Sequence, residues 1–168
     1  MDHRASEQEI KASEKAGMDA LRRYFEGAIV YKSNVKQDIE DHYDCVMTYK
    51  GKTVTFDIKD KNDGKDEFFW VETLNKRGKP GWLYGEATGI LFRVNDGWLM
   101  CPRRTLLQKV EQGRILRGDV TRRVKRNVQA YEAYRRDNDV VIKVPIEDVI
   151  SISKKIEDEE AKNCDGLG

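Results

Sequence analysis

Residues 44–59 alternate between apolar and polar side chains with a period of two, and the two sets separate almost completely by face. Cys45, Met47, Tyr49, Val54, Phe56 and Ile58 share one face, whereas Asp44, Val46, Thr48, Thr53, Thr55, Asp57 and Lys59 share the other. The pattern predicts a β-hairpin with Lys50 and Gly51 as its turn residues. Tyr49 then faces Lys52, and Asp44 stands opposite Asp57. A slip of one residue would mix the apolar and polar sets, so the pattern itself specifies the register.

Residues 6–27 read as a helix, because Ile10, Glu14, Gly17, Leu21, Tyr24, Phe25 and Ala28 recur at helical spacing. Glu14 falls on that stripe, either at its margin and reaching for water or aimed into a site, with Glu7 nearby as the reserve. Residues 28–32 form a short predicted strand and 33–42 a polar connector. Residues 68–74 are apolar on both faces except at Glu72, as in a central strand. After a Gly/Lys/Pro loop at 76–81, residues 89–94 and 98–101 predict a second hairpin around Asn95-Asp96-Gly97. Helices are expected at 103–112 and 120–136, a last strand at 140–144, and a short helix at 146–150 opened by Pro145. These elements predict an α/β fold in which helices flank a central mixed β-sheet. Residues 1–156 make a single domain and 157–168 an acidic, flexible tail.

Composition supports one core under a charged surface: of 168 residues, 39% are hydrophobic and 36% charged. The net charge of +1 hides an uneven distribution, since residues 101–136 carry eleven Lys/Arg against three acids, a local +8. Such a block suits a polyanion, with Arg103, Arg104, Arg122, Arg123, Lys125 and Arg126 as candidate phosphate contacts. A solvated helix face is the plainer account of the same residues. Cys45, Cys101 and Cys164 are odd in number and far apart, which suggests neither a disulfide framework nor a zinc pair. No signal peptide or apolar run of membrane-spanning length is visible, so a soluble, cytoplasmic protein without membrane contact is expected, in a bacterial or host cytoplasm if phage-encoded.

The candidate chemistry sits on the polar face of the first hairpin. Opposed carboxylates ordinarily destabilise a sheet, so Asp44 and Asp57 need compensation. A hard divalent cation supplies it and leaves coordination positions for water and phosphate oxygens. Lys59 projects from the same face as Asp57 and can neutralise charge on a phosphate or orient the attacking water. Spacing alone is weak, because Glu9/Lys11, Asp63/Lys65 and Glu160/Lys162 repeat it without comparable context. An exposed face of ordinary solvated charges is the structural alternative. His42 reads as a loop residue, no Ser-His-Asp or Cys-His arrangement is indicated, and the spaced glycines match no phosphate-cradling loop. Lys76, Arg77 and Lys79 beside Trp82 and Tyr84 read either as a basic, aromatic DNA-contacting loop or as a solvent-facing loop anchored by Trp82.

A helix bearing Glu14, then Asp44, then Asp57-Ile58-Lys59 ending the second hairpin strand resembles the PD-(D/E)xK nuclease superfamily, over roughly residues 6–107. Tyr43 stands where the motif's Pro would be. The segments Phe69-Trp70-Val71-Glu72-Thr73, Gly81-Trp82-Leu83 and Gly89-Ile90-Leu91-Phe92 are similar to small phage or mobile-element members. The resemblance implies a restriction-endonuclease-like core, Asp44 and Asp57 as metal ligands, Lys59 as the catalytic lysine and Glu14 as the helix glutamate. Glu72 is carried as an accessory residue that either lines the site or pairs with Lys59 or an Arg. The expected activity is Mg²⁺-dependent cleavage of DNA, with Mn²⁺ as a substitute, by a nicking, homing-type or junction-resolving endonuclease that dimerises if both strands are cut. The alternatives are an RNA-directed nuclease and a non-catalytic nucleic-acid-binding or counter-defence protein that keeps the fold.

Overall fold

The computed structural model describes residues 6–60, 67–113, 131–136 and 139–158. Along the chain run α1 (Glu7–Tyr24), β1 (Ile29–Lys32), a π-helical turn (Gln37–Asp41), β2 (Cys45–Tyr49), β3 (Lys52–Lys59) and β4 (Phe68–Leu74). A 3-10 turn (Trp82–Tyr84), β5 (Gly89–Val94), β6 (Gly97–Pro102), α2 (Arg103–Gly113), β7 (Glu132–Arg136), β8 (Asp139–Pro145), α3 (Ile146–Ile152) and β9 (Lys154–Glu157) follow.

The hairpin forms in the predicted register. Cys45 pairs with Phe56, Met47 with Val54 and Tyr49 with Lys52. Lys50 and Gly51 both take left-handed backbone, with φ of 49° and 77°, as a two-residue turn matched to strand twist requires. The strands β1-β2-β3-β5-β6-β9 make one sheet, mixed because β3 and β5 run parallel while the other neighbours run antiparallel. A second, antiparallel sheet of order β4-β8-β7 was not anticipated from the sequence.

The two faces of the large sheet bury different partners. Met18 and Leu21 of α1 pack on Cys45, Met47, Phe56, Ile58, Leu91 and Trp98. On the opposite face Ile90, Phe92, Leu99 and Cys101 meet Phe69, Val71, Ile142 and Val144 of the small sheet, together with α2 and α3. Asp57 and Lys59 are paired with Ile90 and Phe92 across the parallel register, so their side chains belong to the small-sheet side.

A capping box starts α1: the Ser6 hydroxyl accepts from the Glu9 N–H, and the Glu9 carboxylate accepts from the Ser6 N–H, each at 3.2 Å. Its buried residues are Gly17, Met18, Ala20 and Leu21, whereas Ile10 and Tyr24 of the predicted stripe are exposed. The helix meets the sheet through its second half, where Gly17 lies so close to Ile58 that an added Cβ would stand 3.0 Å from Ile58 Cδ1. Glu14 lies one turn earlier, its carboxylate 3.4 Å from Nζ of Lys32 at the end of β1.

Three other expectations need correction. Residues 132–136 form strand β7 rather than the end of a helix, while 114–130 lie outside the described residues. Cross-strand pairing of Ala133 with Ile142 and of Tyr134 with Val141 overrides the helical preference of this stretch. The strand at 68–74 is an edge strand, not a central one: Trp70 is 39% exposed and stacks edge-on with Phe68 and Tyr134 on the outer face. Glu157 and Asp158, assigned above to the tail, are held in place. Glu157 pairs with Gly97, and Asp158 receives two hydrogen bonds from Arg93, at 2.9 and 3.2 Å.

Strand β9 depends on Gly97, because a Cβ there would fall on the carbonyl oxygen of Ile156. Gly97→Ala is therefore expected to cost about 1–3 kcal/mol, the range of overpacking, in urea denaturation, with the loss of exchange protection concentrated in β9. No helix among the described residues is long and apolar enough to cross a membrane.

Candidate active site

Three backbone and side-chain bonds build the acidic centre around Asp44. Just before β2, its N–H donates to the carbonyl of Phe56, the residue paired with Cys45, at 2.8 Å, and its carbonyl accepts from the Ser33 N–H at 2.9 Å. Its Oδ2 accepts from the Ile58 N–H at 2.6 Å, which ties the side chain to the backbone just after Asp57. Asp44 is 7% exposed and Asp57 4%. Lys59 Nζ lies 3.1 Å from Asp57 Oδ2 and 5.0 Å over the Trp82 ring. That ammonium is the charge partner of Asp57 Oδ2, which has no other hydrogen-bond donor among the described residues.

Burial and like charge make this centre costly to ionise. The Asp44 carboxyl is pushed up to about 7, first by burial and then by the charge of Asp57, against the opposing bond from Ile58. Burial works against charging Lys59, but Asp57 and Asp44, with Glu72 behind them, outweigh it and move the ammonium upward. Lys59 is thereby a fixed positive charge at neutral pH.

The connector contributes a residue that the sequence reading passed over. Asn34 and Gln37 bond reciprocally: the Asn34 N–H donates to Gln37 Oε1 at 2.9 Å, and the Gln37 N–H to Asn34 Oδ1 at 2.8 Å. They open the π-helical turn, which ends at His42 in left-handed backbone (φ 57°) and is pinned by the Glu86 N–H donating to the Asp41 carbonyl at 2.8 Å. This turn brings Asp38 to Glu14 and Asp44, with one carboxylate oxygen from each within 4.8 Å of the others. Burial of its carboxyl and the adjacent Asp44 push Asp38 up to about 6. The available signal was the Asn34-x-x-Gln37 spacing, which marks a helical start.

The predicted residues divide accordingly. Glu14 joins the centre, its carboxylate 13% exposed and 3.4 Å from Lys32 Nζ. Glu72, half-buried on β4, acts on the site through its field at Lys59. Arg103 is not a phosphate contact: it is buried, and its guanidinium donates to the carbonyls of Ala87 at 2.7 Å and Leu83 at 2.9 Å. Those bonds hold the loop before β5 and turn the Nε and Nη1 donors inward. Arg104 is exposed at the start of α2, and Arg122, Arg123, Lys125 and Arg126 lie outside the described residues. Lys76, Arg77 and Lys79 are exposed, whereas Trp82 is buried beneath Lys59.

The gathered donors of Glu14, Asp38 and Asp44 are all carboxylate oxygens, the chemistry that hard divalent cations select, and the buried Asp57 carboxylate bears on Asp44 with the Lys59 ammonium as its partner. The residues thus fit Mg²⁺ or Mn²⁺. No protein-family model matches this chain, and no curated protein is significantly similar to it.

Proposed function

We propose that this chain is a divalent-cation-dependent endonuclease with a restriction-endonuclease-like core, hydrolysing DNA phosphodiester bonds. The observation that carries the reading is the burial of Asp44 and Asp57 together beside the Lys59 ammonium at the end of one hairpin. Buried like charges are retained against their cost where chemistry uses them. The mixed sheet, with α1 on one face and the acids at the end of β2 and β3, supports the fold-level reading.

Asp44 and Asp57 would hold Mg²⁺, or Mn²⁺ in its place, with Glu14 completing the set. When bound, the cation polarises a phosphoryl oxygen and makes nearby water more acidic. Lys59 supports the nucleophile and the developing charge, and in the ion-free chain Asp57 and Asp44 move its ammonium upward against burial. Its ammonium faces the negative charge that develops on the phosphate. Trp82 under Nζ and Glu72 behind it keep that charge in place. Arg104 remains available for the phosphate backbone, and a homodimer is expected if both strands are cut.

Nicking of supercoiled plasmid in Mg²⁺ or Mn²⁺, with RNA substrates in parallel, tests the reading. The parent chain should nick DNA only with cation, and Asp57→Ala and Lys59→Ala should each lower the rate by about 10²–10³-fold. Activity that survives both substitutions rejects the site. A parent inert on every DNA and RNA form favours a non-catalytic nucleic-acid-binding or counter-defence protein on the same fold.

A further inference from the structure

The outer face of the small sheet departs from the polar surface that the solvent side of an antiparallel sheet ordinarily presents. The inner face buries Phe69, Val71, Ile142 and Val144 against the large sheet, so alternation should place polar residues outside. Phe68, Trp70 and Tyr134 stand there instead, with Trp70 39% and Tyr134 38% exposed. The ring centroids of Phe68 and Trp70 lie 5.0 Å apart and those of Trp70 and Tyr134 5.6 Å, both edge to face. The rings thereby join β4 to β7 across the central strand β8. In an edge-to-face pair one ring keeps its broad faces clear of the other. Lys143 of β8 shares this side, its Nζ 4.1 Å over the Phe68 ring.

Two further observations indicate what this face receives. Phe68, Trp70 and Glu72 alternate onto one side of β4, and the charge of Glu72 bears on Lys59, so the aromatic face runs along the strand toward the acidic centre. Residues 114–130, which precede Tyr131 and β7 in the chain, carry six Lys/Arg against one acid, the charge that a polyanion requires. Aromatic rings on a sheet stack on unpaired bases of any sequence, since every base has a π-face, whereas the bases of a duplex are stacked on one another. We propose that Phe68, Trp70 and Tyr134 form a stacking platform for single-stranded DNA beside the candidate active site, with Lys143 at its edge for a phosphate. The substrate is then DNA with an unpaired stretch next to the cleaved bond.

The inference rests on the nuclease reading in taking DNA as the partner, but its test needs no turnover. A fluorescein-labelled oligothymidylate of about 15 nucleotides is titrated in chelator with the full chain, and binding is read by anisotropy. An unlabelled copy is followed by tryptophan emission: Trp82 and Trp98 are buried, so quenching by a stacked base reports Trp70. The parent should bind with quenching. Trp70→Ala and Tyr134→Ala should each weaken binding at least about fivefold, the lower end of what one stacked base contributes. Trp70→Phe should bind more tightly than Trp70→Ala and lose the quenching. Tyr24→Ala removes a ring of equal exposure from α1 and should bind as the parent does, with circular dichroism showing all variants folded. A parent that binds no oligothymidylate or binds it without quenching, or a Trp70→Ala curve that matches Tyr24→Ala, overturns the proposal. An oligouridylate bound more tightly than the oligothymidylate overturns the assignment to DNA. If the parent nevertheless nicks plasmid, the nuclease reading stands without the platform. A chain that binds through Trp70 but cleaves nothing overturns the nuclease reading instead.

Discussion

Asp44→Asn is expected to abolish cation-dependent cleavage while raising the thermal midpoint of the ion-free protein at pH 8. Asparagine keeps the size of the side chain and an oxygen to accept the Ile58 N–H, now bonded at 2.6 Å, so the hairpin has no reason to move. What it removes is a buried charge beside Asp57. The folded carboxyl titrates near 7 rather than 3.8, which at one group corresponds to several kcal/mol, and on the order of 1–4 kcal/mol should be recovered above neutrality. At pH 5, where the parent carboxyl is already mostly protonated, the gain should shrink. Cleavage should fall by at least about 10²-fold, because one of the proposed cation ligands is gone. Scanning calorimetry in chelator at both pH values, beside the plasmid assay, checks both halves. A variant that cleaves at the parent rate removes Asp44 from the ligand set. One that melts below the parent at pH 8 shows that the buried charge is not the cost argued here.

The ion-free parent should lose stability as pH rises from about 5 to about 8, and a divalent cation should restore it mainly at the upper end. Asp44 and Asp38 are both raised in the folded chain, to about 7 and about 6, above the 3.8 of an unperturbed aspartate. A raised folded pKa contributes stability that is fully present below the unfolded value and is lost as pH climbs through the folded value. The loss therefore starts near pH 4 and levels off above 7. Cation binding requires the ionised carboxylates and so competes with protons, which makes it weak at pH 5 and strong at pH 8. At a concentration a hundred times its Kd, a ligand adds about 2.7 kcal/mol. The difference in thermal midpoint between Mg²⁺ and chelator should widen from pH 5 to pH 8. Equal differences at both values, or a flat ion-free profile, would remove the electrostatic cost assigned to this cluster. In Asp44→Asn the pH slope should be reduced.

Much of the acidic centre was legible because the hairpin carrying it is a local structure. Lys50 and Gly51 can turn the chain, and the side chains on either side sort by face in only one pairing, so the register from Cys45 opposite Phe56 to Tyr49 opposite Lys52 followed from neighbours in the chain, while Asp44 stands just outside that ladder with its N–H on Phe56. Glu14 was legible as a polar residue on a helical stripe that holds at Gly17 and Leu21, with Phe25 and Ala28 packed against the core, and fails at Ile10 and Tyr24, which are exposed. Asp38 was hidden because its position depends on Glu86, which pins the turn from the far side of the hairpin. Arg103 read as a surface charge until the carbonyls of Leu83 and Ala87 proved to need its donors. Strands β7 and β9 carry little local signal, and each exists through a partner distant in the sequence or across a loop.

The sequence by itself determined the hairpin and its register, since period-two alternation and turn chemistry are properties of adjacent residues. Only the tertiary structure decided which connector acid joins them, which arginine is buried and which strands complete the two sheets. Those choices are made where backbone groups and charges from distant parts of the chain are buried together and must satisfy one another, whatever each segment would prefer alone.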